Sequence, residues 1–171
     1  MKFIIIGRSN VGKSTLFNKI INKNKAISYN IKYLTKDINT DFFKWNNKYH
    51  IISDTGGINF KNILINKIIN KKIFDNIKTY DIILLILSYK EGLLDLDKDI
   101  YNKIKTLKKK IYIIINKVDN NYSSKLYDFY NIGTNKLYFI SAINNTGISD
   151  LLDDILNIKN IKENKKKKKI K

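Results

Sequence analysis

The stretch GRSNVGKS, from Gly7 to Ser14, decides the fold of this chain. It follows the apolar run Phe3–Ile6 and leads into Thr15-Leu16-Phe17. A Gly-x-x-x-x-Gly-Lys-Ser spacing between a buried strand and a helix is typical of a phosphate-binding loop. The glycines let successive backbone N–H groups point at the phosphates, with the positive end of the helix behind them. An ordinary glycine-rich turn is the alternative, and the flanking strand and helix argue against it.

Two side chains of this loop have predicted roles. Lys13 would reach the β- and γ-phosphates of a nucleotide, and Ser14 would bind Mg²⁺. The expected nucleotide-binding residues of the loop and of the first helical turn are Gly7, Arg8, Ser9, Asn10, Val11, Gly12, Lys13, Ser14 and Thr15.

Short apolar runs predict the rest of the fold. Phe3–Ile6, Ile82–Leu87 and Ile111–Ile115 are rich in β-branched residues and bounded by Gly, Asp or Asn. Such runs predict strands that are buried on both faces, as in a parallel sheet. Helical apolar stripes lie between and after them, within residues 60–77, 100–107 and 148–156. Alternation of strand and helix predicts a doubly wound α/β fold with helices on both faces of a mostly parallel six-stranded sheet.

One hairpin interrupts this alternation. Asp41–Trp45 and Tyr49–Ile52 are separated by Asn46–Lys48, which predicts one antiparallel edge strand. We expect His50 in the edge strand and Trp45 in its neighbour, both with structural roles.

The composition sets limits on the class of protein. With 171 residues, 43% of them hydrophobic, the chain is long enough for one domain. Cysteine is absent, which excludes disulfides and thiolate metal sites. The longest aliphatic run, Ile82–Leu87, is far shorter than the roughly 20 residues of a membrane-spanning helix. We expect a cytoplasmic monomer without a membrane partner.

The formal net charge of +18 has two explanations. A high positive charge is typical of proteins that bind a polyanionic partner such as RNA. Abundant Lys, Asn and Ile, a single arginine and no proline would equally follow from an AT-rich genome. We expect a nucleotide-binding domain over residues 1–159 and a disordered lysine-rich tail over 160–171. For this tail an RNA-binding role and a purely solvated role stay open.

Asp54-Thr55-Gly56-Gly57 closes the apolar stretch Ile51-Ile52. It would lie at the carboxyl end of a strand, where ligands bind in open α/β sheets. Asp54 could hold Mg²⁺ there, and the amide of a glycine could approach a γ-phosphate. By itself the string equally indicates a tight turn, but its place after the phosphate loop favours a nucleotide site.

Asn116-Lys117-Val118-Asp119 indicates which base is bound. The carboxylate of Asp119 can accept hydrogen bonds from guanine N1–H and from the exocyclic amine, whereas adenine lacks both donors. Lys117 can lie along the base plane, Asn116 can brace the phosphate loop, and Ser141-Ala142 offers a backbone N–H to guanine O6. In isolation Asn-Lys-Val-Asp is a polar loop; four motifs in this order, each after its own strand, favour a guanine nucleotide.

These motifs resemble the Era/TrmE/Der group of translation-factor-like GTPases over all of the chain except the lysine tail. They are nearest to the first G domain of the Der (EngA) family of ribosome-assembly GTPases, with the EngB (YsxC) family second. EngB proteins carry GRSNVGKS, but their third motif normally reads Asp-x-Pro-Gly. The resemblance rests on Gly7–Ile20, Leu34–Asp37, Trp45, Asp54–Ile58, Glu91–Leu93, Asn116–Asp119 and Ser141–Leu152.

The resemblance implies a P-loop NTPase G domain that hydrolyses GTP to GDP and phosphate as a conformational switch in assembly of the large ribosomal subunit. It implies rRNA or a ribosomal subunit as partner. It also implies that Thr35 binds Mg²⁺ together with Ser14 and Asp54. The chain departs from the group at Ser9, where proline is usual, and at Ile31–Tyr33, where Thr-Pro-Gly is usual.

The resemblance also implies how hydrolysis is helped. Ile58 stands where Ras-like enzymes have a glutamine. In the hydrophobic-substituted class, an asparagine matching Asn10 helps to bind K⁺, which acts as an arginine finger does; a loop-capping side chain is the alternative for Asn10. The expected catalytic residues are Asn10, Lys13, Thr35 and Gly57, and the expected cofactors are Mg²⁺ and K⁺. A nucleotide-gated RNA- or ribosome-binding module with little or no GTP turnover is the alternative function.

Overall fold

The computed structural model describes residues 1–23, 38–56, 59–60, 67–119, 124–134 and 136–156. The strands are β1 (Lys2–Ile6), β2 (Asn39–Trp45), β3 (Lys48–Asp54), β4 (Ile82–Ser88), β5 (Lys110–Asn116) and β6 (Leu137–Phe139). The α-helices are α1 (Lys13–Lys23), α2 (Lys67–Ile77), α3 (Asp95–Lys105) and α4 (Ile148–Ile155), and a 3₁₀ helix spans Ser124–Ile132.

The six strands form one sheet in the order β2-β3-β1-β4-β5-β6. β2 pairs antiparallel with β3, and the other four pairings are parallel. The prediction of a mostly parallel six-stranded sheet with one antiparallel edge strand is therefore confirmed.

The hairpin turn lies within the predicted stretch Asn46–Lys48, but the predicted strands of His50 and Trp45 were wrong, because each residue lies in the other strand. Asn46 and Asn47 adopt φ angles of +45° and +61°, the left-handed pair that a two-residue hairpin turn requires. Trp45 ends the edge strand β2, and His50 lies in the inner strand β3. The reason is that the second strand of the hairpin pairs with β1, so the first strand lies outside it.

The contacts of His50 and Trp45 fit the structural roles that were predicted for them. The ring of His50 lies 5.8 Å from that of Phe3 and 5.2 Å from that of Phe43, measured between centroids. Burial lowers the pKa of His50, which keeps the imidazole neutral at pH 7. Trp45 Nε1 donates a hydrogen bond of 2.9 Å to Asp153 Oδ1 of α4 and so connects the sheet edge to a helix.

Successive residues of the central strands pack alternately into two hydrophobic cores, one on each face of the sheet. Phe3 and Ile5 pack with residues of α1 and α4, whereas Ile4 and Ile6 pack with residues of α2 and α3. All seven residues of β4 are buried. This two-sided burial explains why these strands read as continuous apolar runs, and it confirms that helices cover both faces.

Some element boundaries differ from the predicted ones. The helix expected within 60–77 is described over Lys67–Ile77, and residues 61–66 lie outside the described residues. Leu107, which was predicted on a helical stripe, lies beyond the end of α3. The 3₁₀ helix was not predicted. Of the helices in the described ranges, none is long and apolar enough to cross a membrane. The predicted tail, 160–171, lies outside the described residues.

Candidate nucleotide-binding site

Four loops at one edge of the sheet carry the predicted motifs. Gly7 directly follows β1, Asp54 ends β3, Asn116 ends β5, and Ser141 follows β6 by two residues. Since these strands run parallel, their carboxyl ends lie at the same edge of the sheet. The fold thus brings the motifs to the place where ligands bind in open α/β sheets.

Lys13, the first residue of α1, folds back onto the main chain of the phosphate loop. Its side chain is buried, and Nζ donates hydrogen bonds of 3.0 Å to the carbonyl of Gly7 and 2.7 Å to that of Arg8. Burial lowers the pKa of the Lys13 ammonium, and the negative charge of Asp54 offsets part of this effect. Lys13 forms no ion pair with any described residue. A phosphate in the loop would supply the missing counter-charge.

The two glycines that frame the loop leave no room for a side chain. A Cβ atom on Gly7 would lie 2.4 Å from the carbonyl oxygen of Ile86 in β4. A Cβ atom on Gly12 would lie 2.2 Å from Asn116 Nδ2, and Gly12 also has a φ of +99°. The loop therefore passes close to β4 at one end and, at the other, to Asn116, the first residue of the predicted base-reading motif Asn116–Asp119.

Ser14 and Asp54, two of the three predicted Mg²⁺ ligands, are in direct contact. Ser14 Oγ donates a 2.6 Å hydrogen bond to Asp54 Oδ2. Asp54 is fully buried, and its Oδ1 atom has no hydrogen-bond partner in the described part of the chain. Burial raises the pKa of Asp54, while the hydrogen bond from Ser14 and the charge of Lys13 lower it. An unpartnered buried carboxylate oxygen beside a hydroxyl fits Mg²⁺, which prefers oxygen ligands.

The two residues after Asp54 hold this pair in place. Thr55 is buried, and its Oγ1 donates a 2.7 Å hydrogen bond to the carbonyl of Ile5. The Gly56 N–H donates to the Asp54 carboxylate. A Cβ atom on Gly56 would lie 2.8 Å from Ser14 Oγ and 2.9 Å from Asp54 Oδ2, so only glycine allows the main chain to approach this closely.

Asn116 connects three motifs through one carboxamide. Its Nδ2 donates a 2.9 Å hydrogen bond to the carbonyl of Val11, and its Oδ1 accepts one of 2.9 Å from the Ala142 N–H. The side chain is buried, so both bonds are shielded from water. The phosphate loop and the Ser141-Ala142 loop are thereby fixed relative to each other.

Asp119 and Lys117, the residues predicted to contact the base, are each paired with an opposite charge. Asp119 Oδ1 accepts a 2.7 Å hydrogen bond from Ser141 Oγ, and Oδ2 lies 2.8 Å from Lys90 Nζ. The hydrogen bond from Lys90, followed by that from Ser141, lowers the pKa of Asp119. Lys117 Nζ lies 3.6 Å from Glu91 Oε1. Asp119 is therefore an ionised acceptor at neutral pH.

The Arg8 side chain is engaged by carboxylates. Its Nε donates a 2.7 Å hydrogen bond to Asp97 Oδ1, and its Nη1 donates one of 2.7 Å to Glu91 Oε2. Asp97 is fully buried, and its Oδ2 accepts the Leu94 N–H at the start of α3, 3.1 Å away. The Arg8 carbonyl accepts the Lys13 bond within the phosphate loop, whereas the guanidinium is bound to these two carboxylates, and the nucleotide contact of Arg8 stays a prediction.

The Asp97→Asn variant is expected to destabilise the chain by about 3 kcal/mol, because it leaves the buried Arg8 guanidinium with one carboxylate in place of two. The free energy of unfolding in urea measures this. Asp95→Asn, on the same helix, is the control: Asp95 pairs with Lys98 at the surface, where such pairs contribute little. Equal losses in the two variants would contradict a special role for the buried pair.

The remaining predicted residues fall into two groups. Asn10 and Ser9 are exposed, Thr15 is half-buried and Val11 is buried. Asn10 has a left-handed backbone, with a φ of +64°. The predicted residues that lie outside the described part of the chain are Thr35, Gly57 and Ile58.

Residues 2–117 match the protein family described as "50S ribosome-binding GTPase". The chain belongs to the 50S ribosome-binding GTPase family. The matched segment runs from β1 to the residue after β5, so it contains the phosphate loop, the Asp54–Gly57 motif and the start of the base-reading motif. The resemblance to the Era/TrmE/Der group is thus confirmed.

Curated proteins named GTPase Der are similar to this chain over most of the chain's length. That of Karelsulcia muelleri is 42% identical over 169 residues, which cover 95% of this chain and 38% of the relative. That of Finegoldia magna is 39% identical over 154 residues, which cover 89% of this chain and 35% of the relative. The chain spans little more than a third of the length of these relatives.

Two solved structures share the fold. Era in complex with MgGDPNP and nucleotides 1506–1542 of 16S ribosomal RNA superposes with a TM-score of 0.68 at 23% identity, covering 91% of this chain and 55% of Era. A probable GTP-binding protein, engB, gives a TM-score of 0.64 at 21% identity, covering 92% of this chain and 98% of engB.

Three residues around the candidate site were not predicted as site residues: Lys90, Glu91 and Asp97. Glu91 opens the Glu-Gly-Leu string, which entered only as part of the resemblance. One signal was present in the sequence, because these residues follow β4 and its carboxyl end lies at the same sheet edge as the phosphate loop.

Proposed function

We propose that this chain binds guanine nucleotides and hydrolyses GTP to GDP and phosphate, as a conformational switch in assembly of the large ribosomal subunit. The observation that carries the proposal is the 2.6 Å contact between Ser14 of the phosphate loop and the buried Asp54, two side chains 40 residues apart. Family membership supports the same activity. The chain covers only part of its relatives, so the activity is argued from the site itself.

The phosphate chain would lie in the loop from Gly7 to Ser14. Lys13 would exchange its two carbonyl partners for phosphate oxygens, which offer it a counter-charge. Asn116 would keep the loop in register with the base end of the site through its bond to Val11. Asp119 would accept hydrogen bonds from guanine N1–H and N2. The Ser141 N–H donates to the Thr146 carbonyl and the Ala142 N–H donates to Asn116 Oδ1, so the N–H that binds guanine O6 would exchange or share one of these bonds.

Ser14, Asp54 and Thr35 would hold Mg²⁺. When bound, Mg²⁺ would neutralise charge on the β- and γ-phosphates. The buried Asp54 carboxylate is held in place by hydrogen bonds from Ser14 Oγ and from the Gly56 N–H. The Gly57 amide is proposed to approach the γ-phosphate.

Asn10 is the proposed ligand of K⁺. Asn10 is exposed to solvent and has a left-handed backbone, which supports access of a cation to its side chain. When bound there, K⁺ would supply the positive charge that an arginine finger supplies elsewhere. Ile58 has no group that orients water, which is consistent with assistance from a cation.

Phosphate release from GTP tests this proposal. An arginine finger accelerates hydrolysis by about 10³-fold to 10⁵-fold. Because we expect K⁺ to supply part of this acceleration, turnover with Mg²⁺ should be at least about tenfold faster in KCl than in NaCl at matched ionic strength. Lys13→Ala should abolish turnover, and Lys105→Ala, an exposed lysine on α3, should not change it.

Equal rates in KCl and NaCl would remove the role of K⁺ and of Asn10. Tight GTP binding without turnover in either salt would contradict the enzyme and favour the alternative, a nucleotide-gated RNA- or ribosome-binding module.

The proposed partner is rRNA or a ribosomal subunit. The net charge of +18 would attract RNA phosphates, with an affinity that falls steeply as salt rises. The family description names the 50S ribosome, and the Era structure contains a segment of 16S rRNA. These observations support an RNA partner for this chain.

A further inference from the structure

The loop that follows β4 reaches into the base end of the site with two adjacent charged residues. Lys90 pairs with Asp119, and Glu91 pairs with Lys117, so each base-reading side chain meets its opposite charge. Two backbone bonds hold this loop: the Tyr89 N–H donates to the Asn116 carbonyl at 2.8 Å, and the Gly92 N–H donates to the Ser88 carbonyl at 3.1 Å. The loop is thus tied directly to the start of the base-reading motif.

The two pairs differ in how firmly they are held. Glu91 is fixed by Arg8, whose guanidinium is itself held by the buried Asp97. Lys90 has 63% of its side chain exposed, and Asp119 is its only ion-pair partner in the described ranges. Glu91 is therefore a fixed group, whereas Lys90 can leave Asp119 by rotating its own flexible stem.

Both oxygens of the Asp119 carboxylate are in use. Oδ1 accepts from Ser141, and Oδ2 accepts from Lys90. A guanine base presents two neighbouring donors, N1–H and the N2 amine, which a carboxylate binds with both oxygens. An ammonium group 2.8 Å from Oδ2 competes with them in two ways: it occupies one acceptor, and it neutralises the charge that strengthens the bonds to the base.

We propose that Lys90 is an affinity-determining residue of the guanine site, a built-in counter-ion that occupies Asp119 in the nucleotide-free chain and is displaced when the base binds. The inference rests on the proposed function, since it requires that Asp119 reads guanine. Lys90 thereby weakens guanine nucleotide binding and makes it depend on salt, because an exposed ion pair is screened. Glu91 stays in place and keeps the Lys117 ammonium beside the site.

The test is the affinity of the full chain for a fluorescent GDP with Mg²⁺ at low salt. Lys90→Met should tighten GDP binding about twofold to fivefold, the range expected for an exposed ion pair. A structural disturbance would weaken binding, so a gain is a specific readout. The gain should shrink towards zero as the KCl concentration rises.

Two controls isolate the ion pair from the loss of charge. Lys98→Met removes the same charge from a residue that pairs with Asp95 instead, and should leave GDP affinity unchanged. In an Asp119→Asn background, which should bind xanthosine diphosphate, adding Lys90→Met should leave the affinity for that nucleotide unchanged, because no carboxylate remains to pair with Lys90.

Lys90→Met binding GDP as the unmodified chain does, or more weakly, would overturn the inference while leaving the proposed function intact. The same holds if Lys98→Met gives an equal gain. Failure of the unmodified chain to bind GDP would overturn the proposed function and the inference with it.

Discussion

Asp119→Asn is expected to lose guanosine nucleotides and to bind xanthosine nucleotides in their place. An asparagine presents one acceptor and one donor where the carboxylate presents two acceptors. Xanthine matches that change because it has a carbonyl where guanine has its exocyclic amine. A site built on such pairing discriminates by roughly 10⁴-fold. Competition of GDP and of xanthosine diphosphate against a fluorescent nucleotide measures both affinities.

The control for this variant is Asp99→Asn, which removes a carboxylate from the exposed surface of α3. It should bind GDP as the unmodified chain does. Unchanged GDP affinity in Asp119→Asn would contradict the assignment of the base, and loss of GDP without gain of xanthosine diphosphate would mean that the Ser141–Asp119 contact has a structural role only.

Gly12→Ala is expected to abolish nucleotide binding and to destabilise the chain. The new methyl group would lie 2.2 Å from Asn116 Nδ2, so the carboxamide must move and give up its bonds to Val11 and Ala142. Two lost bonds cost about 1 kcal/mol each, and a left-handed backbone costs a non-glycine residue about 1 to 2 kcal/mol. The free energy of unfolding should fall by about 3 to 4 kcal/mol.

Gly133→Ala separates these two causes. Gly133 has a similar φ of +92°, but a Cβ atom there would meet nothing within 4 Å. This control should show only the backbone cost, about 1 to 2 kcal/mol, and normal GDP affinity. If Gly12→Ala and Gly133→Ala lose equal stability and both bind GDP, the close approach of Asn116 to the phosphate loop contributes neither to stability nor to nucleotide binding.

The sheet was predictable because its signal is local and repeated. Strands buried on both faces read as short apolar runs, and Ile82–Leu87 needs no information from elsewhere in the chain. The four motifs were predictable as a set for a related reason. Parallel strands place their carboxyl ends at one edge, so the order strand–motif, repeated four times, brings Ser14, Asp54, Asn116 and Ser141 together.

The contacts within the site were less predictable, because they depend on which loops become neighbours. The ion pairs of Arg8 with Glu91 and Asp97 join residues more than 80 positions apart, and charged residues on a helix usually face solvent. Asp97 is fully buried although it lies among the exposed Asp95 and Asp99. Only the three-dimensional position of Arg8 explains that difference.

The sequence pattern also could not predict which of the two hairpin strands lies at the edge of the sheet. Asp41–Trp45 and Tyr49–Ile52 each contain one adjacent apolar pair, Phe42-Phe43 and Ile51-Ile52, so neither pattern marks its strand as the edge. The pairing of β3 with β1 decides which of the two is the edge, and a long-range pairing of this kind has no local signal. His50 is accordingly buried between Phe3 and Phe43, and the edge strand contributes Trp45.

The central claim is that the edge of the sheet formed by the four motifs is a guanine nucleotide site. Titration of the chain with GDP and, separately, with ADP, each with Mg²⁺, tests it most directly. Since adenine would leave the Asp119 carboxylate without donors, GDP should bind roughly 10⁴-fold more tightly than ADP. Equal affinities, or binding of neither nucleotide, would contradict the account.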